Sequence, residues 1–471
     1  MAGLSRVGGT GVTYALGVDV GTRSTVAAAC EVDGVAAVAA AGPRVVLQAP
    51  TRAALREDGT VLLGSRARRG AEPGTWLGDV VGRVGDPVPH RSGAAESPGQ
   101  QVLAALVDDA AARAEDVCGS RAAALAVTCP GSWGGWTRNL VADALAARGR
   151  HPVLLVPAAL AAAARADVLA RGAGTVPGPL RRLAVLDVGA RGHEATLVTR
   201  EKDHRWRAPA PALWSASAAA GDLDDVLLAL VLRDAGVRLG PADLADPAVP
   251  AGLRRLRSSC AAALRALGSA PEAVITVELP ADRERVRLVR TEVEELLEPV
   301  LAPAVTTLER AVASRPAGDG PTGDGVAGEG PDAVLLVGGT AAVPLLAQLA
   351  SAALGVPVLV DEDPGVTAAA GAAVLAAGDV AANGPADTDD AGEADDRRDD
   401  QPADRRDDSA GSGDPPQAAS AADPAATELS RRRAVRLVLG AAAAVAVAGA
   451  SAPQPGSRRP APPPPAQGRG R

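Results

Sequence analysis

The chain has 471 residues, a formal net charge of −8, no Phe, one Tyr and four Cys, long enough for two or three domains and a large core. Eleven Asp/Glu against four Arg fall between Asp387 and Asp408, a local −7, so the rest is close to neutral and offers nucleic acid no basic face. Scattered cysteines (Cys30, Cys118, Cys129, Cys260) without a Cys-x-x-Cys, and an N-terminus without an export pattern, argue against a disulfide framework and for reduced thiols in the cytoplasm.

Lys202 is the single lysine, so nearly all positive charge is Arg. Ala, Val and Leu must build the core, which favours many thin, closely packed elements. From about residue 12 to 378, apolar strands alternate with longer helical patterns, as an α/β protein requires. Strands are expected at Tyr14–Val20 and Thr25–Val32, then a helix at Gln101–Val117, a strand at Ala122–Thr128, a helix at Thr137–Ala147, a strand at Pro152–Val156 and a helix at Ala158–Ala170. A second series follows. Its strands are Leu183–Val188, Glu194–Thr199, Ala273–Leu279, Val286–Val289, Ala333–Val337 and Pro357–Val360. Its helices are Asp222–Asp234, Leu253–Leu267, Thr291–Ser314, Val343–Leu354 and Val366–Ala376. The Gly- and Asp-rich stretch Pro316–Pro331 reads as a surface loop.

Two strands end in the same phrase, Leu16-Gly17-Val18-Asp19-Val20-Gly21-Thr22 and, 168 residues later, Ala184-Val185-Leu186-Asp187-Val188-Gly189-Ala190. A buried strand that delivers a carboxylate and then a glycine turn presents an acid with backbone N–H groups close behind it. Two such reversals facing each other would hold a metal–phosphate group. Asp19 and Asp187 would carry Mg²⁺ through water, since Mg²⁺ keeps its hydration shell and takes few carboxylates. The N–H groups of Gly21, Thr22 and Arg23 and those around Gly189 and Ala190 would cradle phosphates. Gly338-Gly339 before Thr340 would let backbone approach a ligand where a side chain would collide. For either hairpin alone, an ordinary tight turn explains the pattern as well.

After Gly378 the character changes. Residues 379–433 carry almost no large apolar side chain and read as a disordered acidic linker, solvated or serving as a docking tail. Arg431–Arg433 precede an Ala- and Val-rich run, 434–452, and a Pro/Arg-rich tail, 453–471, closes the chain. The run reads as a single transmembrane helix anchoring a cytoplasmic domain, although Leu437–Ala452 gives only 16 uncharged residues against the roughly 20 of a relaxed span. A disordered Ala-rich tail and a helix lying on the membrane surface are the alternatives.

The first reversal resembles the first phosphate loop of the heat-shock-protein-seventy chaperones and of the wider actin-like ATPase superfamily, and the second stands where that family carries its second. Ala126-Val127-Thr128-Cys129-Pro130 is similar to its proline-ended strand, Val156-Pro157-Ala158-Ala159-Leu160-Ala161-Ala162 to its Glu-Pro-Thr-Ala-Ala helix start, and Val334–Thr340 to its adenosine loop. The segment beginning Asp363-Pro364-Gly365-Val366-Thr367 is similar to its closing helix. The resemblance covers about residues 14–377. It implies an actin-like fold with two lobes, each a ribonuclease-H-like unit: lobe I at about 12–180 plus 365–378, lobe II at about 181–364. It also implies binding of ATP or ADP with Mg²⁺, with Asp363 near the nucleotide; where the family continues into a peptide-holding β-sandwich, the acidic linker and the apolar run are expected to stand instead.

Departures from the family pattern bear on catalysis. Ala190, Arg191, Gly192 and Glu194 replace its second-loop glycines, threonine and acid. Gly78 stands near the place of its catalytic lysine, Val156 replaces its glutamate, and Ala342 its adenosine-loop arginine. Phosphoryl transfer depends on positioned charge, so the expectation is weak or absent hydrolysis, with Asp187 and Glu194 as the remaining catalytic candidates. Arg23 and Arg191 would grip phosphates in compensation or block the cleft. Three functions follow: a membrane-tethered ATP-binding switch or scaffold with an unidentified protein partner, a pseudo-ATPase interaction module without nucleotide, and an active ATPase with rearranged residues. His193 reads as a partly exposed loop residue in preference to a general base, Trp133 and Trp136 as loop anchors or a cleft edge, and Arg254-Arg255-x-Arg257 as a solvated helix face or an adenosine contact.

Overall fold

The computed structural model describes residues 13–32, 42–70, 74–150, 152–174, 176, 178–280, 282–314 and 330–383. The acidic linker beyond residue 383, the run 434–452, the tail 453–471 and most of the 316–331 loop lie outside the described residues. Among the described residues, no helix is long and apolar enough to cross a membrane.

The first half opens with β1 (Tyr14–Val20), β2 (Ser24–Glu31) and β3 (Arg44–Pro50), an antiparallel meander. A small sheet of β4 (Ala53–Arg56), β5 (Val61–Leu63) and β6 (Gly74–Leu77), with α1 (Gly64–Gly70), and a hairpin of β7 (His90–Ser92) and β8 (Ala95–Ser97) follow. Then come α2 (Gly99–Cys118), β9 (Ala124–Cys129), α3 (Gly135–Ala146), β10 (Val153–Pro157) and α4 (Ala158–Ala173). The second half contains β11 (Arg182–Val188), β12 (His193–Arg200), β13 (Trp206–Arg207), β14 (Leu213–Ser215), α5 (Ala220–Asp234), α6 (Pro241–Ala245) and α7 (Ala248–Ala266). It continues with β15 (Glu272–Glu278), β16 (Arg283–Val289), α8 (Arg290–Ala313), β17 (Ala333–Val337), α9 (Pro344–Leu354), β18 (Val358–Val360) and α10 (Thr367–Asn383). The expected mixed α/β class is therefore present.

The main sheets repeat one topology. The first runs β3-β2-β1-β9-β10 and the second β13-β12-β11-β17-β18, with β14 also on β12. In each, an antiparallel hairpin continues into two parallel strands reached by helical crossovers. Helices cover both faces, so β1 and β11 are apolar nearly throughout. Asp19 is the one residue of β1 that is not fully buried, and Asp187 shares that standing in β11 with Arg182 alone.

Alanine packing joins the halves. Helix α10 lies on the first sheet, where Gly17 admits it: a Cβ there would stand 2.1 Å from the Ala369 carbonyl oxygen. Helix α4 packs in the core of the second sheet with Leu183, Val185 and Leu335, although it precedes residue 180. The two helices cross where Gly371 meets Ala161. Helix α10 also runs to Asn383, past the expected change of character at Gly378.

Candidate functional site

A cavity of about 1200 Å³ lies between the halves, lined by both acid-bearing reversals, by Gly338–Thr340 and by Asp361–Val366. The reversals are copies of each other. Gly21 N–H donates to the Ser24 carbonyl at 2.9 Å, and Gly189 N–H to the Gly192 carbonyl at 2.9 Å. The flanking registers match, Val20 opposite Thr25 and Val188 opposite His193. The N–H groups of Gly21 and Gly189 thus close their own turns and do not face a ligand, which corrects that part of the expectation. Those of Thr22, Arg23, Ala190 and Arg191 meet no backbone acceptor among the described residues, and all four residues line the cavity.

The two carboxyl groups share the cavity floor. The Asp19 carboxylate accepts the Thr128 hydroxyl, yet burial raises it above its ordinary value of 3.8. Burial, then the neighbouring Asp19 and Glu194 carboxylates, push Asp187 up to about 7. Glu194 acts because the β11–β12 register sets it directly opposite Asp187; the equivalent position across from Asp19 is Val26. Burial also raises Glu194, although its oxygens accept Gly131 N–H at 2.9 Å and Ser132 N–H at 3.3 Å across the cleft.

Gly338 brings the end of β17 over the second acid. Its φ is +86°, and a Cβ would stand 2.5 Å from Asp187 Oδ1, so only glycine fits. Gly338 N–H donates to the Pro364 carbonyl at 3.1 Å. Thr340 is 4% exposed and its hydroxyl meets no partner among the described residues, an orphaned polar atom beside the cavity. Thr340→Val is therefore expected to leave the empty protein as stable or up to about 1 kcal/mol more stable in thermal melts, while weakening ligand binding. Asp363 sits exposed at the rim, its carboxylate accepting Gly365 N–H at 3.0 Å and Gln48 Nε2 at 3.2 Å. Below it Arg165 grips Asp361 at 2.5 and 3.1 Å, fixing the loop into α10.

Seven carboxyl groups and four guanidinium groups line the cavity. Arg23 pairs with Asp224 at 2.5 Å, Arg191 with Asp79, and Arg165 with Asp361. Arg265 has no ion pair among the described residues. A bare polyanion would meet net repulsion here; a chelated one would not. Two carboxyl groups suit Mg²⁺, whose other positions water and phosphate oxygens fill. No group of three or more His, Cys, Asp and Glu suited to hold an ion occurs among the described residues, so an all-protein cage does not compete with that arrangement.

Other sequence candidates fall elsewhere. His193 is not a partly exposed loop residue: it is 1% exposed and opens β12. Its Nδ1–H donates to the Ser217 carbonyl at 2.7 Å, and Nε2 meets the Thr307 hydroxyl at 2.9 Å. Burial lowers its pKa, so the neutral ring fills a structural role between β12 and α8. Trp133 lines the cavity and packs on the core of the first sheet, whereas Trp136 is 65% exposed with its ring against Gly85. Arg254 and Arg255 are exposed on α7 away from the cavity; Arg257 donates to the Gly221 carbonyl at 3.0 Å and pairs with Asp225. Lys202 is exposed and lines no part of the cavity. Sequence reasoning missed Asp79 and Asp224, the partners of the two cleft arginines, and the Gly131–Ser132 amides that hold Glu194. No protein-family model matches this chain, and no curated protein matches it.

Proposed function

We propose that the cleft binds an adenine nucleotide, ATP or ADP, as its Mg²⁺ complex, within a two-lobed fold of the actin-like, heat-shock-protein-seventy type, and that it hydrolyses ATP weakly or not at all. One observation carries the reading: two reversals with the same hydrogen bond and register, each carrying an aspartate, open on a single cavity with Gly338 closing over the second acid. The repeated strand order supports the fold. Asp19 and Asp187 would hold the ion, which supplies the charge that neutralises phosphate oxygens. Thr22, Arg23, Ala190 and Arg191 would offer N–H groups to them, and the Thr340 hydroxyl a polar contact.

Weak hydrolysis follows from what the acids and arginines are doing. Glu194, the one acid beside Asp187 on its hairpin, is spent on two backbone N–H groups, and no lysine reaches the cavity. Arg23 and Arg191 are committed to carboxylates, so stabilisation of developing charge is poor. That pairing also favours the second reading, an interaction module that holds no nucleotide.

The anchoring role belongs to residues 434–452 and rests on the sequence alone: the domain would be cytoplasmic and tethered to the membrane, presenting itself to a protein partner. Thermal melts of the full chain with 1–5 mM ATP or ADP test the reading. A rise in melting temperature that needs Mg²⁺ is expected by mass action. No shift with either nucleotide would select the interaction module.

A further inference from the structure

Four groups reach from one half of the molecule to the other across the mouth of the cleft. Arg23, on the first reversal, meets Asp224 of α5 at 2.5 Å; that carboxylate is 5% exposed and lies 3.9 Å from Arg257 as well. Arg191, on the second reversal, pairs with Asp79 between β6 and the 3-10 turn Val81–Arg83. The contacts thus run in opposite directions, one arginine from each half.

The Arg191 contact is built in. Asp79 holds a left-handed backbone, φ 55°, which costs a non-glycine residue energy and persists only where its surroundings fix it. Its carboxylate accepts Gly82 N–H at 3.2 Å. The guanidinium lies against Gly82 itself: a Cβ there would stand 1.9 Å from Arg191 Nη1. A strained acid, an amide that orients it and a slot open only above glycine all converge on one guanidinium. Arginine suits such a place, because its planar fork stays charged and binds carboxylate directionally.

We propose that the Arg191–Asp79 and Arg23–Asp224 pairs are latches that hold the cleft closed with nothing bound. An anionic ligand must then displace carboxylates from the same two arginines before it can use them. Closure is thereby separated from ligand binding, in contrast to a hinge that only its ligand closes. The latch needs no nucleotide and stands or falls independently of the nucleotide reading.

Amide hydrogen exchange of the full chain, without nucleotide, tests it. The Gly131 and Ser132 amides donate to Glu194 across the cleft, touch neither arginine, and lose protection when the halves part. Arg191→Gln and the milder Asp79→Asn are each expected to speed exchange at these two amides about tenfold, one latch being worth about a factor of ten. Gly82→Ala should match them by displacing the guanidinium, and combining it with Arg191→Gln should add little. Exchange at Gly131 and Ser132 unchanged in both Asp79→Asn and Gly82→Ala would overturn the proposal. So would full additivity of the combined variant.

Discussion

Asp187→Asn is expected to make the empty protein more stable at pH 8 while removing its Mg²⁺-dependent nucleotide binding. The carboxyl titrates near 3.8 in an unfolded chain and near 7 in the folded one, because burial and the charges of Asp19 and Glu194 oppose its ionisation. The folded state therefore holds a proton that the unfolded state releases between those values. Stability from this group is fully present below pH 4 and is lost as pH rises through 7. An amide cannot ionise, so the substitution removes the loss. The gain is about 2–4 kcal/mol at pH 8 and shrinks as the pH is lowered toward 5. Melting curves of wild type and variant across that range, without divalent ions, measure it. A residue that stabilises its protein when removed, yet is needed for binding, is one kept for its ligand.

The second large effect concerns the joint between the halves. Gly371→Val should destabilise the protein by at least about 3 kcal/mol, and Gly371→Ala by nearly as much. A Cβ at this position would stand 1.7 Å from the Ala161 carbonyl oxygen and 2.5 Å from its carbon. Backbone atoms of a helix cannot step aside singly, so α4 and α10 would have to separate, taking the sheets they rest on with them. Gly378→Ala provides the control. It lies on the same helix with nothing within 4 Å of the new Cβ, so the change should be neutral or stabilising by up to about 1 kcal/mol. Denaturant unfolding of the three variants reads the contrast. Equal losses at 371 and 378 would mean that helix propensity, and not the crossing, sets the effect.

Much of the sheet framework was legible because its strands are apolar runs cut off by an acid and a glycine. Tyr14–Val20 and Ala333–Val337 are bounded as expected, and most other strands of the two main sheets shift by one or two residues. What escaped lies mainly between Arg44 and Ser97, where β4 to β8 are three or four residues long, and at β13, β14 and the five-residue α6 farther on, all too short for a period to show. Strand β3 exposes most of one face and carries Arg44 and Gln48, which masked it. Helix α7 begins at Ala248, five residues before Leu253, since Pro247 and Pro250 stand at its first turn, where the missing N–H costs nothing.

At the site, Asp19, Asp187, Gly338 and Thr340 could be read because each belongs to a local phrase. The arginine partners could not. Arg23 and Asp224 are 201 residues apart, and no local pattern announces a pair that forms only when the halves close. Asp79 had one faint signal, its place beside Gly78 and Gly82. His193 misled because polar neighbours surround it in sequence, while its ring turns inward to Ser217 and Thr307. Glu194 looked like a catalytic candidate because it stands at the place of the family's second-loop acid, but its oxygens face the Gly131 and Ser132 amides.

The most direct measurement is isothermal titration of ATP into the full chain at pH 7.5, with and without Mg²⁺, beside Asp19→Ala and Asp187→Ala. Saturable heat is expected from the wild type only when Mg²⁺ is present, with binding weakened at least about tenfold in each variant. Heat that persists undiminished in both variants, or no heat from the wild type with ATP or ADP at millimolar concentration, would contradict a metal–nucleotide site between the two acids.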